Sequence, residues 1–279
     1  MFENMIDGIM TKTEEKLKIN NSDYLEKGLW YCSKCHTPKQ TRIPWLGEEK
    51  IVYCMCECEK EQYEQELKAK KAEEKIQKIA NLRNLAFQNG SAVAYDYTFA
   101  KDNGNNPKMT HVAKKYVDEF EYFKSQGKGL LFFGDVGVGK SYIAACIANA
   151  LIDKLYSVKM TNFVRIRNEL QATYQRQEYL DSLNCYDLLI LDDLSVESTS
   201  EYMQEIVFEV IDNRNRAKLP LIVTTNLTAE KLKHPVGVEN ERIFSRLLKM
   251  CHPIEFKGSD QRKQKTFDDF AEMQRILGI

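Results

Sequence analysis

The run Gly134-Asp135-Val136-Gly137-Val138-Gly139-Lys140-Ser141 fits the pattern G-x-x-x-x-G-K-[ST]. In such a run the glycines remove the Cβ atoms that would keep backbone N–H groups away from a phosphate chain. The lysine ammonium then reaches the β- and γ-phosphates, and the serine hydroxyl is placed to ligate magnesium. The implied chemistry is capture of a nucleoside triphosphate with its metal. Gly134 through Ser141, with Tyr142 next to them, are the expected contacts.

Two further runs could complete that chemistry. Leu188-Leu-Ile-Leu191 carries the chain through an apolar core into Asp192 and Asp193. Asp192 is the expected magnesium partner, held through water, and Asp193 the group that orients or deprotonates an attacking water. Pro220 to Val223 ends in Thr224-Thr225-Asn226. Asn226 is expected to aim its amide at the γ-phosphate or that water, with capping of a Thr228 to Leu232 helix as the competing role. Beyond it, Glu241-Arg242-Ile-Phe-Ser-Arg246 puts two arginines four residues apart on an amphipathic helix. Phosphoryl transfer gains from an arginine that meets the developing charge, supplied in ring-forming ATPases by a neighbouring subunit. Arg246 is that candidate, and Arg262 the candidate for a contact within its own chain.

Five of the eight cysteines crowd into one stretch: Cys32, Cys35, Cys54, Cys56 and Cys58. Thiolates at such spacing suit tetrahedral zinc, and a segment of about 40 residues is too small to fold without a staple. A closed site needs four ligands, so there is one cysteine too many. Which two of Cys54, Cys56 and Cys58 bind stays open, and His36 is a weaker substitute. Cys146, Cys185 and Cys251 lie among apolar neighbours and are expected to be small core residues.

These groups need elements to position them. Leu130 to Phe133, Val158 to Met160, Leu188 to Leu191, Leu221 to Val223 and Ile254 to Phe256 are short, mainly apolar runs that alternate with helical stretches. Strands of that kind are buried on both faces, which predicts an α/β fold with a parallel sheet covered by helices. Ligands bind at the carboxyl ends of such strands, where the polar residues emerge. A single helix is expected from His111 to Ser125, ahead of the phosphate loop. Glu59 to Leu85, rich in Glu, Lys, Gln and Ala, reads as a long exposed helix. The resulting division is a cysteine module at 1–58, a charged linker helix at 59–90 and a nucleotide domain at 91–279.

The formal net charge of −1 gives no global attraction to nucleic acid, so any contact must be local. The first twenty residues lack the apolar centre of a signal peptide, and no run approaches the roughly eighteen apolar residues of a membrane span. A cytoplasmic protein with no membrane association is expected.

Taken together, Gly134 to Ser141, Leu188 to Leu194, Ser200-Glu-Tyr202, Thr224-Thr-Asn226 and Glu241 to Arg246 make the chain resemble an AAA+ ATPase. More narrowly, it resembles the DnaC/DnaI-type replicative helicase loaders and the related IstB-like transposition helpers, over about residues 95 to 265. The resemblance implies a P-loop AAA+ domain with a five-stranded parallel sheet, preceded by a small zinc-binding module and a linker helix. It implies ATP, magnesium and zinc as cofactors, and ATP hydrolysis at subunit interfaces of a homo-oligomer formed in the ATP-bound state. The implied partners are the hexameric replicative helicase and single-stranded DNA. Arg246 falls where the family carries its trans-acting arginine finger, and Arg262 where it carries the second sensor. Similarity also suggests DNA contacts at Tyr174, Ser200 and Tyr202, with core packing as the competing role for both tyrosines. An Asp-Asp pair replaces the Asp-Glu of many AAA+ proteins, which implies slow turnover. A zinc module ahead of the ATPase resembles the DnaI arrangement, in which the N-terminal part engages the helicase. A transposition helper and a nucleotide-gated, helicase-binding adaptor with little hydrolysis are the alternatives.

Overall fold

The computed structural model describes residues 19–88, 92–194, 200–260, 270 and 272–279. The chain divides into two compact units, Met1–Ile76 and Gln77–Ile279.

In the first unit two antiparallel hairpins follow one another. Strands β1 (Tyr24–Glu26) and β2 (Leu29–Tyr31) pair across Lys27-Gly28, and β3 (Gln40–Trp45) and β4 (Glu48–Tyr53) across Leu46-Gly47. All four turn residues have positive φ, the backbone hand that matches the twist of paired strands. The unit has few buried apolar side chains, and its centre is polar. Lys39, 1% exposed, pairs with Asp23 at 2.8 Å and Glu59 at 3.2 Å, and Glu59 also accepts from the Tyr53 hydroxyl at 2.6 Å. Helix α1 (Glu57–Phe87) begins here, with Glu57 and Glu59 in its first turn, where a helix N-terminus favours acidic side chains.

The second unit is built on five parallel strands: β5 (Gly129–Gly134), β6 (Val158–Thr161), β7 (Leu188–Leu191), β8 (Leu221–Thr224) and β9 (Cys251–Phe256). Their spatial order is β6-β7-β8-β5-β9. The expected five-stranded parallel sheet is therefore present, each apolar run extended by up to three residues. Alternate residues feed opposite cores. On one face Leu131, Leu189, Leu191 and Val223 meet helices α5 (Phe163–Ala172), α6 (Arg176–Ser182), α7 (Glu201–Arg216) and α9 (Val238–Met250). On the other, Leu130, Phe132, Ile190 and Ile222 meet α2 (Pro107–Asp118) and α4 (Lys140–Asp153). Full burial of each such side chain contributes about 1.5–3 kcal/mol, so the sheet and its two helical layers carry most of the fold's stability.

Two expectations need correction. The helix foreseen from His111 to Ser125 is two helices, α2 and α3 (Phe120–Ser125), separated at Glu119 (φ −97°, ψ 19°). At the break Phe120 turns inward and packs edge-on against Tyr156, centroids 4.8 Å apart, while Tyr116 stacks on Phe123 at 4.7 Å. Cys146 and Cys251 are core residues, but Cys185 is exposed, because its segment Leu183–Cys185 is a short 3₁₀ turn ahead of β7.

At the amino ends of β7 and β8 lies Arg214, near the end of α7 and fully buried. Its guanidinium donates to four carbonyls: Leu183 (3.1 Å), Tyr186 (2.9 Å), Asp187 (3.3 Å) and Pro220 (2.9 Å). Among the described residues no helix is long and apolar enough to cross a membrane.

Candidate functional site

Strand β5 hands the chain at Gly134 to a loop that α4 takes over at Lys140. The first N–H groups of a helix lack partners within it, and here they open onto that loop, where an anion is stabilised. Gly134 has φ +124°, and a Cβ there would fall on the Phe256 carbonyl of the adjacent strand. Gly137 has φ +78°, and a Cβ would fall on the Asp260 carboxylate. Gly139 also has positive φ and sits directly before α4. Val138 is buried, its carbonyl accepting from Asn106 Nδ2 at 3.4 Å, while Val136 is exposed. Lys140, 6% exposed, folds back under the loop and donates from Nζ to the carbonyls of Gly134 (2.8 Å) and Asp135. Ser141 and Tyr142 are half-buried in the first turn of α4. The Tyr142 hydroxyl donates to the Thr98 carbonyl at 3.0 Å, and burial pushes its pKa up.

Strand β8, paired with β5, and β7, paired with β8, bring the remaining polar groups to the same carboxyl end of the sheet. Asp192 follows β7, half-buried, and its Oδ1 accepts from the Thr224 hydroxyl at 2.6 Å. Asp193 is exposed and left-handed at φ +58°, and its N–H donates to the same Thr224 oxygen at 2.8 Å. Asn226 Nδ2 donates to Asp193 Oδ1 at 3.0 Å. The cap of helix α8 (Ala229–Lys233) is Thr228, whose hydroxyl accepts from Lys231 N, so Asn226 does not fill the competing role. Thr225 N donates to Phe132 O at 2.8 Å, which ties this end to the phosphate-loop strand.

The other candidates lie as follows. Arg246 is on α9, its Nε donating to Asp212 of α7 at 2.6 Å and its guanidinium 4.5 Å from the Phe208 ring centroid, with Arg242 near the same ring at 4.6 Å. Arg262 is outside the described residues. Tyr174 follows α5 and is fully exposed; Tyr202, in the first turn of α7, is 40% exposed with Arg176 over its ring at 5.9 Å. Neither ring is a core residue. Ser200 caps α7, its hydroxyl accepting from Met203 N at 3.4 Å. Asn106 and Asp260 touch this site without a signal in the sequence, and Thr224, read only as part of Thr224-Thr225-Asn226, was given no role of its own.

In the first unit Cys32, Cys35, Cys56 and Cys58 place their sulfurs within 4.8 Å of one another. Tetrahedral zinc with Zn–S near 2.3 Å needs sulfurs about 3.8 Å apart, so four thiols at this spacing fit the ion. Cys54 points elsewhere and donates weakly to the Pro38 carbonyl at 3.5 Å, and His36 Nδ1 meets the Tyr24 hydroxyl at 3.2 Å. The Cys32–Cys35 knuckle is closed by His36 N donating to Cys32 O at 2.9 Å. Burial raises the Cys35 thiol, but hydrogen bonds from Thr37 and Cys58 outweigh it and lower its pKa to about 5. In the same cluster the Cys56 thiol is pushed up to about 12, chiefly by burial, and the Cys58 thiol to about 11, chiefly by its hydrogen bond to Cys35.

Residues 58–268 match the family model described as IstB-like ATP binding protein. Among curated relatives, the replicative helicase loader DnaI of Bacillus subtilis (strain 168) is 29% identical over 181 residues, covering 59% of this chain and 58% of that protein. The replicative helicase loader DnaC of Escherichia coli (strain K12) is 29% identical over 140 residues, covering 48% of this chain and 55% of that protein. The chain thus spans less than two thirds of the length of these relatives. A crystal structure of the DnaC helicase loader superposes with a TM-score of 0.52 at 20% identity, over 60% of this chain and 100% of that one, a likeness of fold.

Proposed function

The chain belongs to the IstB-like ATP-binding family, and from that premise we propose that it is an ATP-dependent loader of the replicative DNA helicase onto single-stranded DNA. The observation that carries the reading is the shared carboxyl end of the sheet: a glycine loop with Lys140 beneath it after β5, and Asp192, Asp193 and Asn226 tied together through Thr224 at the ends of β7 and β8. Backbone N–H groups from Gly137 to Ser141 donate to the phosphates, and Lys140 exchanges its carbonyl partners for phosphate oxygens. Ser141 and, through water, Asp192 would hold magnesium, which would supply neutralisation of the phosphate charge. Asp193 accepts the proton of, or aligns, the attacking water, and Asn226 fixes the carboxylate for that purpose.

Arg246 completes the pocket of an adjoining subunit in the ATP-bound oligomer. For this it exchanges Asp212 for phosphate, so its present ion pair is a resting position within one chain. Tyr174 and Tyr202 stack on bases of the single strand, a contact that needs no strongly basic protein. Zinc on Cys32, Cys35, Cys56 and Cys58 stabilises the N-terminal module, which docks the helicase. Names of the relatives support the loader reading. A transposition helper is the second reading, favoured by the family description.

Retention of the replicative hexameric helicase by the whole chain, with ATP hydrolysis measured on single- and double-stranded DNA at several salt concentrations, tests the proposal. Helicase capture together with a single-strand preference is expected. Duplex preference without capture would favour the transposition helper, and capture with ATPase rates equal to those of Asp193→Ala would favour the non-hydrolysing adaptor.

A further inference from the structure

Thr224 is 1% exposed, and its one hydroxyl makes two bonds that converge on the acidic pair. It donates to Asp192 Oδ1 at 2.6 Å and accepts from Asp193 N at 2.8 Å. A valine would fill the same space, so packing alone does not require the oxygen. The backbone around it is fastened on both sides: Leu194 N donates to Thr224 O at 2.8 Å, and the Thr225 hydroxyl donates to Leu194 O at 2.7 Å. Past the end of the β7–β8 ladder, the two strands are thus still joined, and the joint runs through the residues expected to handle metal and water. Asp193 also sits at φ +58°, a conformation a non-glycine residue keeps only when its surroundings hold it there.

We propose that Thr224 is a positioning residue for the metal step: its hydroxyl fixes the rotamer of Asp192 toward the magnesium shell and pins the backbone of Asp193. The donated bond occupies Oδ1 and leaves Oδ2 to receive a metal-bound water. The accepted bond holds the left-handed turn that presents the Asp193 carboxylate to Asn226. Groups that orient a metal's carboxylate commonly change metal affinity 10- to 100-fold when lost, without touching the ion themselves. The inference rests on the ATP-magnesium reading of the site.

Thr224→Val and Thr224→Ser, in the full chain, test it. Manganese half-saturation of the protein–nucleotide complex is read by electron paramagnetic resonance, and affinity for a fluorescent ATP analogue is read in excess chelator. Thr224→Val is expected to raise the manganese half-saturation about tenfold or more and to leave metal-free nucleotide affinity within about twofold, with Thr224→Ser close to native. A valine variant with native manganese half-saturation overturns the proposal, as does a serine variant as impaired as valine. If valine prevents folding, judged by the thermal midpoint, Thr224→Ala is titrated in its place under the same criteria. A native chain that binds no nucleotide overturns both the ATP reading and this one, whereas a native chain that binds normally while valine changes nothing overturns this one alone.

Discussion

Asn226 donates its side-chain amide to the Asp193 carboxylate across 3.0 Å, from the strand end next to the one that carries the acid. The two residues are 33 positions apart and meet because β7 and β8 are neighbours in the sheet. If they act as one unit on the attacking water, Asp193→Ala should lower the steady-state ATPase rate by roughly 100-fold or more. Asn226→Ala should lower it less, and the double variant should be no slower than Asp193→Ala, since residues that act together are not additive. Strictly multiplicative losses would show that the pair is not a unit.

Lys140 is nine-tenths buried and bonded to main-chain carbonyls of its own loop. Replacing it with alanine should weaken ATP binding by about 10- to 100-fold, the value of one or two charge-assisted hydrogen bonds. Calorimetric titration of folded protein measures this directly. Unchanged affinity would remove the lysine from the phosphate site.

The four-sulfur cluster excludes Cys54. Cys54→Ser should therefore keep about one zinc per chain, while Cys56→Ser or Cys58→Ser should lose it, as read by colorimetric zinc release. Chelation should lower the thermal stability of the N-terminal unit, because binding free energy of a structural metal is folding free energy. Zinc loss from Cys54→Ser with retention by Cys56→Ser would reverse the assignment.

Arg246 is paired with Asp212 at 2.6 Å within one chain. If it works on a neighbour's nucleotide, Arg246→Ala and Asp193→Ala proteins should each be nearly inactive alone, yet recover measurable ATPase when mixed, because some interfaces then unite an intact arginine with an intact acid. Mixtures that stay as inactive as their parts would confine Arg246 to its ion pair.

Asp187 accepts from Ser157 N at 2.7 Å and Ser157 Oγ at 2.8 Å and pairs with Lys124 at 2.7 Å. Burial alone would raise its pKa, but Lys124 and the Ser157 bonds outweigh that and hold the carboxyl below its ordinary 3.8. A carboxyl lowered by folding adds stability above its unfolded pKa, and that stability is lost as pH falls through the lower folded value. The thermal midpoint of the chain should thus decline below about pH 4. Asp187→Asn should reduce the midpoint at neutral pH and flatten that decline. Parallel pH profiles for the two proteins would refute the assignment.

Much of the architecture was legible because the three inner strands, β7, β8 and β5, are apolar on both faces, a pattern that suits a covered parallel sheet, while the outer β6 and β9 carry Lys159, His252 and Glu255 among their apolar residues. The phosphate loop was legible because its glycines and lysine are adjacent in sequence. What escaped depended on distance or on local geometry. The alternation of Cys54, Cys56 and Cys58 would place all three thiols on one face of an extended chain. Strand β4 stops at Tyr53, however, and α1 begins at Glu57, so the change of backbone between them swings Cys58 toward the knuckle and leaves Cys54 behind. Thr224 reads as an ordinary β-branched strand residue, since its acidic partners lie more than 30 positions away. Asp212 and Arg246 are equally remote in sequence, and nothing near either one announces their pairing.

Arg214 grips the entrances of β7 and β8 through four carbonyl oxygens, and Thr224 joins the exits of the same two strands. Any rearrangement that leaves those bonds unbroken must keep the separation of this strand pair constant along its whole length. Movement that leaves those bonds intact then falls to the other three strands and the surrounding helices, and the β7–β8 pair becomes the fixed frame against which their displacement is measured.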